Sequence, residues 1–322
     1  MRAAAIQLEP VIADVAANLE ASERLADAAA ADGAELIVLP EFFTTGIAFD
    51  TRLADAALAP DGAATDLLCD LALRHGALVG GSFLCRDPDG HVRNAFLLAG
   101  REGAILGRHD KDLPTMWENA FYVEGDDDGV IEAGDFTAGA AVCWELMRSQ
   151  TARRLRGRID MLLAGSGWWS IPEWPPRAVT RRMEAANART AAIVAERFAR
   201  LVGAPVVHAA HAGPIECAMP GTPIRYRGHL QGGAVIADAD GRVLARRDRR
   251  EGPGHAIADI TVGRVAAQDE VPDRYWLHRR GAMGTYAWHF QRLHGRRWYA
   301  RHTAHRPPLD VQRERRSPVA AA

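Results

Sequence analysis

A carboxylate, an ammonium and a thiol each close a strand-like run of this 322-residue chain: Glu41 in LIVLPEFFTTG, Lys111 in GRHDKDLPT and Cys143 in GAAVCWELMR. Short apolar runs bounded by turn residues read as buried strands. Side chains at the carboxyl ends of neighbouring strands converge on the crevice above an α/β sheet, where sites are usually built. The three groups complement one another. A thiol at a strand-to-helix turn meets backbone amides that favour its thiolate and can cradle an oxyanion. A carboxylate can take the thiol proton and later return it to a departing amine. The ammonium is the only lysine among 39 Lys and Arg residues. A compact point charge with three donors suits a tetrahedral oxyanion, whereas a guanidinium is a broad fork.

Each residue also has a plainer reading. A cysteine ending an apolar strand is often a packed core thiol, and a glutamate after Leu-Pro could cap a helix. Glu41, however, follows five uncharged residues, 36–40. The backbone amide of Trp144 is an oxyanion donor by position. Arg148 either binds a substrate carboxylate or opens a solvated, arginine-rich helix face. Trp168 and Trp169, after the apolar run 159–165, either pack in the core or line an acyl pocket. Cys69, Cys85 and Cys217 read as packed thiols. His208 and His211 face opposite ways if their segment stays extended, which argues against a metal pair. No metal and no organic cofactor is expected.

The elements that must position these groups alternate. Strands are expected at 2–8, 34–40, 77–85, 92–99, 103–111, 136–143, 159–165, 204–210, 232–238, 242–248 and 254–260. Helices are expected at 14–33, 63–75, about 146–157 and about 177–201. The turn DPDG at 87–90 joins two strands as a hairpin. Mixed hairpins and strand–helix units give an α/β sandwich, two mixed sheets between helix layers.

Composition narrows the partners. A net charge of -2 argues against bulk nucleic-acid or membrane affinity. The N-terminus lacks a signal-peptide pattern and four scattered cysteines fit no disulfide framework, so a cytoplasmic protein is expected. From about residue 271 the character changes. Segment 272–322 carries eleven arginines against three acidic residues, about +8, with seven Trp, Tyr and Phe. The chain therefore divides into a body, 1–270, and a basic, aromatic-rich extension, 271–322, whose last stretch from 301 is expected to lack order. The extension could stack on nucleic acid or wrap a partner subunit; the acidic body favours the second.

Over roughly residues 2–260 the chain resembles the nitrilase superfamily of carbon–nitrogen hydrolases. LPEFFTTG, KDLPT and CWELMR match that family's Pro-Glu strand end, lysine motif and nucleophile elbow, in the same order and with similar separations. The resemblance implies an αββα sandwich and a Glu41-Lys111-Cys143 triad. It also implies a second glutamate, Glu118, orienting Lys111 and the substrate or water, with Glu124 the lesser candidate. Asp110 stands where the family usually has arginine. Cys143-Trp144-Glu145 leans towards nitrilases, whereas the stretch that follows is more similar to the amide- and carbamoyl-cleaving branches. The resemblance thus implies a homodimer or larger homo-oligomer cleaving a small amide or N-carbamoyl substrate through a thioester. A true nitrilase working through a thioimidate and an acyltransferase stay open beside it.

Overall fold

Alternation along single strands builds this molecule, seen in a computed structural model that describes residues 1–219, 222–278 and 282–311. The first half runs β1 (Arg2–Leu8), α1 (Val15–Ala31), β2 (Leu36–Val38), α2 (Ala63–His75), β3 (Leu78–Arg86), β4 (Val92–Ala99) and β5 (Ile105–Asp110). The second half runs β6 (Val130–Glu132), β7 (Thr137–Val142), α3 (Ser149–Leu155), β8 (Met161–Ser166), α4 (Arg177–Val202) and β9 (Val206–Ala218). There follow β10 (Arg225–Gln231), β11 (Ala234–Ala237), β12 (Val243–Arg247), β13 (Gly254–Asp259) and α5 (Ala282–His302).

Successive strand side chains point to opposite faces, and the burial follows that rule. Ile6, Leu8, Ile37 and Leu39 pack outward with Leu19 and Leu25 of α1 and Leu67 and Leu71 of α2. Their neighbours Ala3, Ala5, Leu36 and Val38 face inward, onto Ala138, Ala140, Leu163 and Val207 of the opposing strands. Leu162, Ala164 and Val206 turn to the far side, against Leu155 of α3 and Phe198 and Leu201 of α4. The layers are therefore helix, sheet, sheet, helix, and the many alanines between the sheets allow close approach. Parallel pairing of β1 with β2, β2 with β3, β7 with β8 and β8 with β9 is mixed with antiparallel hairpins. The two sheets join along β1 and β9, through Gln7 opposite Ala210 and Leu8 opposite His211.

Three segments depart from expectation, the first being the short β6, which pairs antiparallel with β7 where no strand was expected. β9 runs on to Ala218 and pairs antiparallel with β10, a strand whose arginines and Gly228 disguise its alternation. The C-terminal segment contains a 21-residue helix, α5, and order continues past it: Thr303 is buried and donates to Ala120 O at 2.6 Å. The expected loss of order from 301 therefore does not hold for 301–311, because the His305 and Leu309 amides donate to Gly90 O at 2.9 Å and Ala57 O at 2.8 Å in the body; 312–322 lies outside the described residues. Within the one chain α5 lies on the 3₁₀ turn Met116–Ala120, and the Val92 amide donates to Tyr299 OH at 3.0 Å. Contact is close at Gly295, where a Cβ would meet Asn119 Cβ at 2.8 Å and Ala120 N at 3.0 Å. Gly295→Val should therefore cost about 1–3 kcal/mol, as overpacking does. A lower urea midpoint is the expected result; an unchanged midpoint would mean that α5 does not dock at this depth.

Candidate active site

Glu41 stands just beyond β2, Lys111 follows β5, and Cys143 follows β7 as the first residue of the 3₁₀ turn Cys143–Met147. Among the described residues, three of the five non-glycine residues with positive φ lie here: Cys143 itself (54°), Phe42 next to Glu41 (53°) and Met116 two before Glu118 (54°). Such backbone costs about 1–3 kcal/mol per residue and persists only where its surroundings impose it, which is the habit of functional sites. The strand ends are also pressed together. A Cβ on Gly165 of β8 would fall 2.6 Å from the Glu41 amide nitrogen.

Glu41, Lys111 and Glu118 are fully buried, and Cys143 is 2% exposed. The Lys111 ammonium donates to Glu41 Oε1 and to Glu118 Oε2, both at 2.8 Å. Glu41 also accepts from Asn94 Nδ2 and from the Gly167 amide, each at 2.9 Å. Glu118 accepts from the Thr115 amide at 3.0 Å and from the Tyr122 hydroxyl. His211 donates from Nε2 to the Glu41 carbonyl at 2.6 Å; burial holds its ring near pKa 4, so it is a neutral clamp.

Burial and mutual charge set the protonation. Burial raises Glu41 above the usual carboxylate range, against the pull of the Lys111 ammonium. Burial opposes the charge on Lys111, but Glu118 and Glu41 together overcome it and hold the ammonium well above its ordinary pKa. Burial likewise pushes the Cys143 thiol well up, and the Glu41 carboxylate adds to the effect. The resting thiol is thus protonated, beside a carboxylate poised to accept its proton.

A second buried network holds this one in register. Glu145 accepts from the Val142 amide at 2.6 Å and the Asp112 amide at 3.3 Å, tying the Cys143 strand end to the Lys111 strand end. Its other partners are His109 Nε2 at 2.9 Å and Arg154 at 3.4 Å, while His109 Nδ1 meets Asp127 at 2.5 Å. Arg148 is fully buried, pairs with Asp112 and donates to Leu113 O at 3.2 Å. The solvated-face reading of Arg148 therefore gives way, since its guanidinium is buried against Asp112. Trp168 and Trp169 do line a cavity of about 450 Å³, together with Trp117, Trp144 and Trp174. None of Glu41, Lys111, Glu118 and Cys143 is among its walls, but three wall residues are chain neighbours of the cluster: Trp117 precedes Glu118, Trp144 follows Cys143, and Trp168 follows Gly167. Glu124 sits apart, half-exposed and paired with Arg296.

Sequence reasoning missed Asn94, Tyr122 and the His109–Glu145 pair. An asparagine inside the apolar run VRNAFLLA was the available signal for the first; the others depend on contacts across the fold.

His109 gives a pH test. Burial opposes its charge, but Glu145 and Asp127 prevail and raise its pKa from 6.5 to about 10. Stability from a raised pKa is fully present below the unfolded value and lost as pH rises through the folded one. The stability gap between wild type and His109→Gln should be widest at or below pH 6.5 and close towards pH 10 in urea titrations. A gap independent of pH would show that His109 is neutral when folded.

Comparison with known proteins gives this geometry a lineage. A family model described as carbon-nitrogen hydrolase matches residues 2–269. A nitrilase from Pyrococcus abyssi is 29% identical over 187 residues, 56% of this chain and 70% of that protein. The omega-amidase YafV of Yersinia enterocolitica is 36% identical over 135 residues, 42% of this chain and about half, 51%, of its own length. Among solved structures, an amidase from Nesterenkonia sp. superposes with a TM-score of 0.62 at 20% identity, covering 85% of this chain and 93% of that one. Nit3 of Saccharomyces cerevisiae, a nitrilase-superfamily member, gives 0.61 at 18% identity, covering 80% and 89%. These two likenesses speak for the αββα fold, and the family match over nearly the whole body places this chain in the carbon–nitrogen hydrolase family.

Proposed function

We propose that this protein hydrolyses a non-peptide carbon–nitrogen bond of a small amide or N-carbamoyl compound through a thioester on Cys143. The observation that carries the reading is the Lys111 ammonium, 2.8 Å from both Glu41 and Glu118 in a fully buried cluster beside the cysteine. Glu41 takes the thiol proton as Sγ bonds to the carbonyl carbon. The oxygen becomes an oxyanion, held by the ammonium and the Trp144 amide; a preorganised donor of this kind is worth about 100- to 1,000-fold in rate. Protonated Glu41 then gives its proton to the nitrogen, the C–N bond breaks, and ammonia or an amine departs. Water attacks the thioester with Glu41 again accepting a proton. The acid leaves as the thiol is restored. Glu118 holds Lys111 and, by its position, the attacking water.

The nitrilases among the relatives, with Cys143-Trp144-Glu145 in this chain, favour a second reading on the same residues. There the thiol adds to a nitrile carbon to give a thioimidate, and water displaces ammonia to reach the same thioester.

Lys111→Arg tests the reading because it keeps the charge and loses the compact shape. Turnover should fall at least about 100-fold, the scale of a lost oxyanion donor, with the fold retained by circular dichroism. Turnover within a few-fold of wild type would remove the ammonium from the mechanism.

A further inference from the structure

The cavity beside the cluster has a composition that a small polar substrate does not need. Besides its five tryptophans it is walled by Met116, Met147, Met183 and Met219. At about 450 Å³ it falls within the range of sites that enclose whole small ligands, roughly 300–1,000 Å³. Several of its polar groups are already engaged within the chain, while Trp117 Nε1 and His278 Nε2 are buried without a partner among the described residues. Trp168 Nε1 donates to Asn187 Oδ1 at 2.9 Å, Asn187 Nδ2 donates to Trp169 O at 3.1 Å, and Tyr226 OH donates to Ser170 O at 2.7 Å. Among the described residues that line it there is no lysine and no arginine to meet a carboxylate.

Indole walls favour aromatic guests through edge-to-face and offset contacts beyond simple burial. Thioethers add sulfur–aromatic contacts and adapt to irregular shapes. The walls come from separate elements. Met183, Asn187 and Thr190 share one face of α4 at helical spacing, and Gly284 and Gln291 of α5 close another side. That last wall lies beyond residue 269, outside the region the family shares.

We propose that this cavity receives the acyl side of the substrate and selects a bulky, uncharged, aromatic acyl group, with α5 completing the pocket. The proposal rests on the hydrolase reading for its chemistry, but the cavity can be tested without turnover.

The experiment compares kcat/KM for phenylacetamide and 3-phenylpropionamide with acetamide and with succinamate, which carries a distal carboxylate. Calorimetric titration of Cys143→Ala with phenylacetamide and acetamide runs alongside. Phenyl-bearing amides should exceed both others by at least about 100-fold, since one methylene in an apolar pocket is worth roughly 10- to 200-fold. Cys143→Ala should bind phenylacetamide and not acetamide. Preference for acetamide or succinamate would overturn the proposal, as would failure of Cys143→Ala to bind phenylacetamide. Binding of phenylacetamide without turnover of any amide, N-carbamoyl compound or matching nitrile would uphold the pocket and sink the hydrolase reading. Met183→Trp, on a half-buried face of α4, narrows the cavity without touching the ionic cluster. It should lower the phenyl-to-acetamide ratio at least tenfold; an unchanged ratio would place the selectivity elsewhere.

Discussion

One ammonium buried between two carboxylates is the constraint on which this structure turns. Removing three ionisable groups from water is expensive, and only close pairing with further hydrogen bonds offsets the desolvation. Lys111 meets Glu41 and Glu118 at 2.8 Å, and each carboxylate takes further donors from Asn94 and Gly167 or from Thr115 and Tyr122. Loss of one member would leave an uncompensated buried charge, so the cluster admits very few neighbouring geometries. That rigidity is what an oxyanion site requires, because donors already in place need no reorganisation as charge develops.

The fold exists at the strength needed to hold those few atoms. Small side chains between the sheets bring the strand ends of β2, β5 and β7 into one crevice, with Gly165 letting β8 pass against the Glu41 backbone. Glu145 then bridges the two strand ends that carry Lys111 and Cys143. From outside, α5 rests on the turn that bears Glu118, and Trp288 stacks parallel to Trp144 with ring centroids 5.8 Å apart. A segment beyond the shared family region thus touches both the support of Lys111 and the residue after the nucleophile.

Much of this was legible in the chain. Glu41 and Cys143 could be read because each ends an apolar run that marks a buried strand, whereas Lys111, after the polar end of β5, stood out as the single lysine of the chain. Glu118 was visible only through resemblance, since nothing in TMWEN distinguishes a buried carboxylate from a surface one. His109 and Tyr122 carry no local mark; their partners are 36 residues away for one and fixed by a 3₁₀ turn for the other. The helix α5 was hidden by its arginines. Its buried positions Trp288, Gly295 and Tyr299, with Thr303 just past its end, do fall at intervals of seven, four and four, a helical stripe, but two of the four are not large apolar residues. Arg148 shows the opposite error: an arginine-rich stretch suggested a solvated face, while Asp112 across the fold drew this one inside.

The central claim is that Cys143 carries the acyl group while Lys111 holds the developing charge. Rapid acid quench during turnover, followed by mass spectrometry of the cysteine-containing peptides, tests it most directly. The account predicts the acyl mass on the peptide bearing Cys143 and on none bearing Cys69, Cys85 or Cys217. Steady turnover with Cys143 never modified, or with the acyl group on another cysteine, would contradict it.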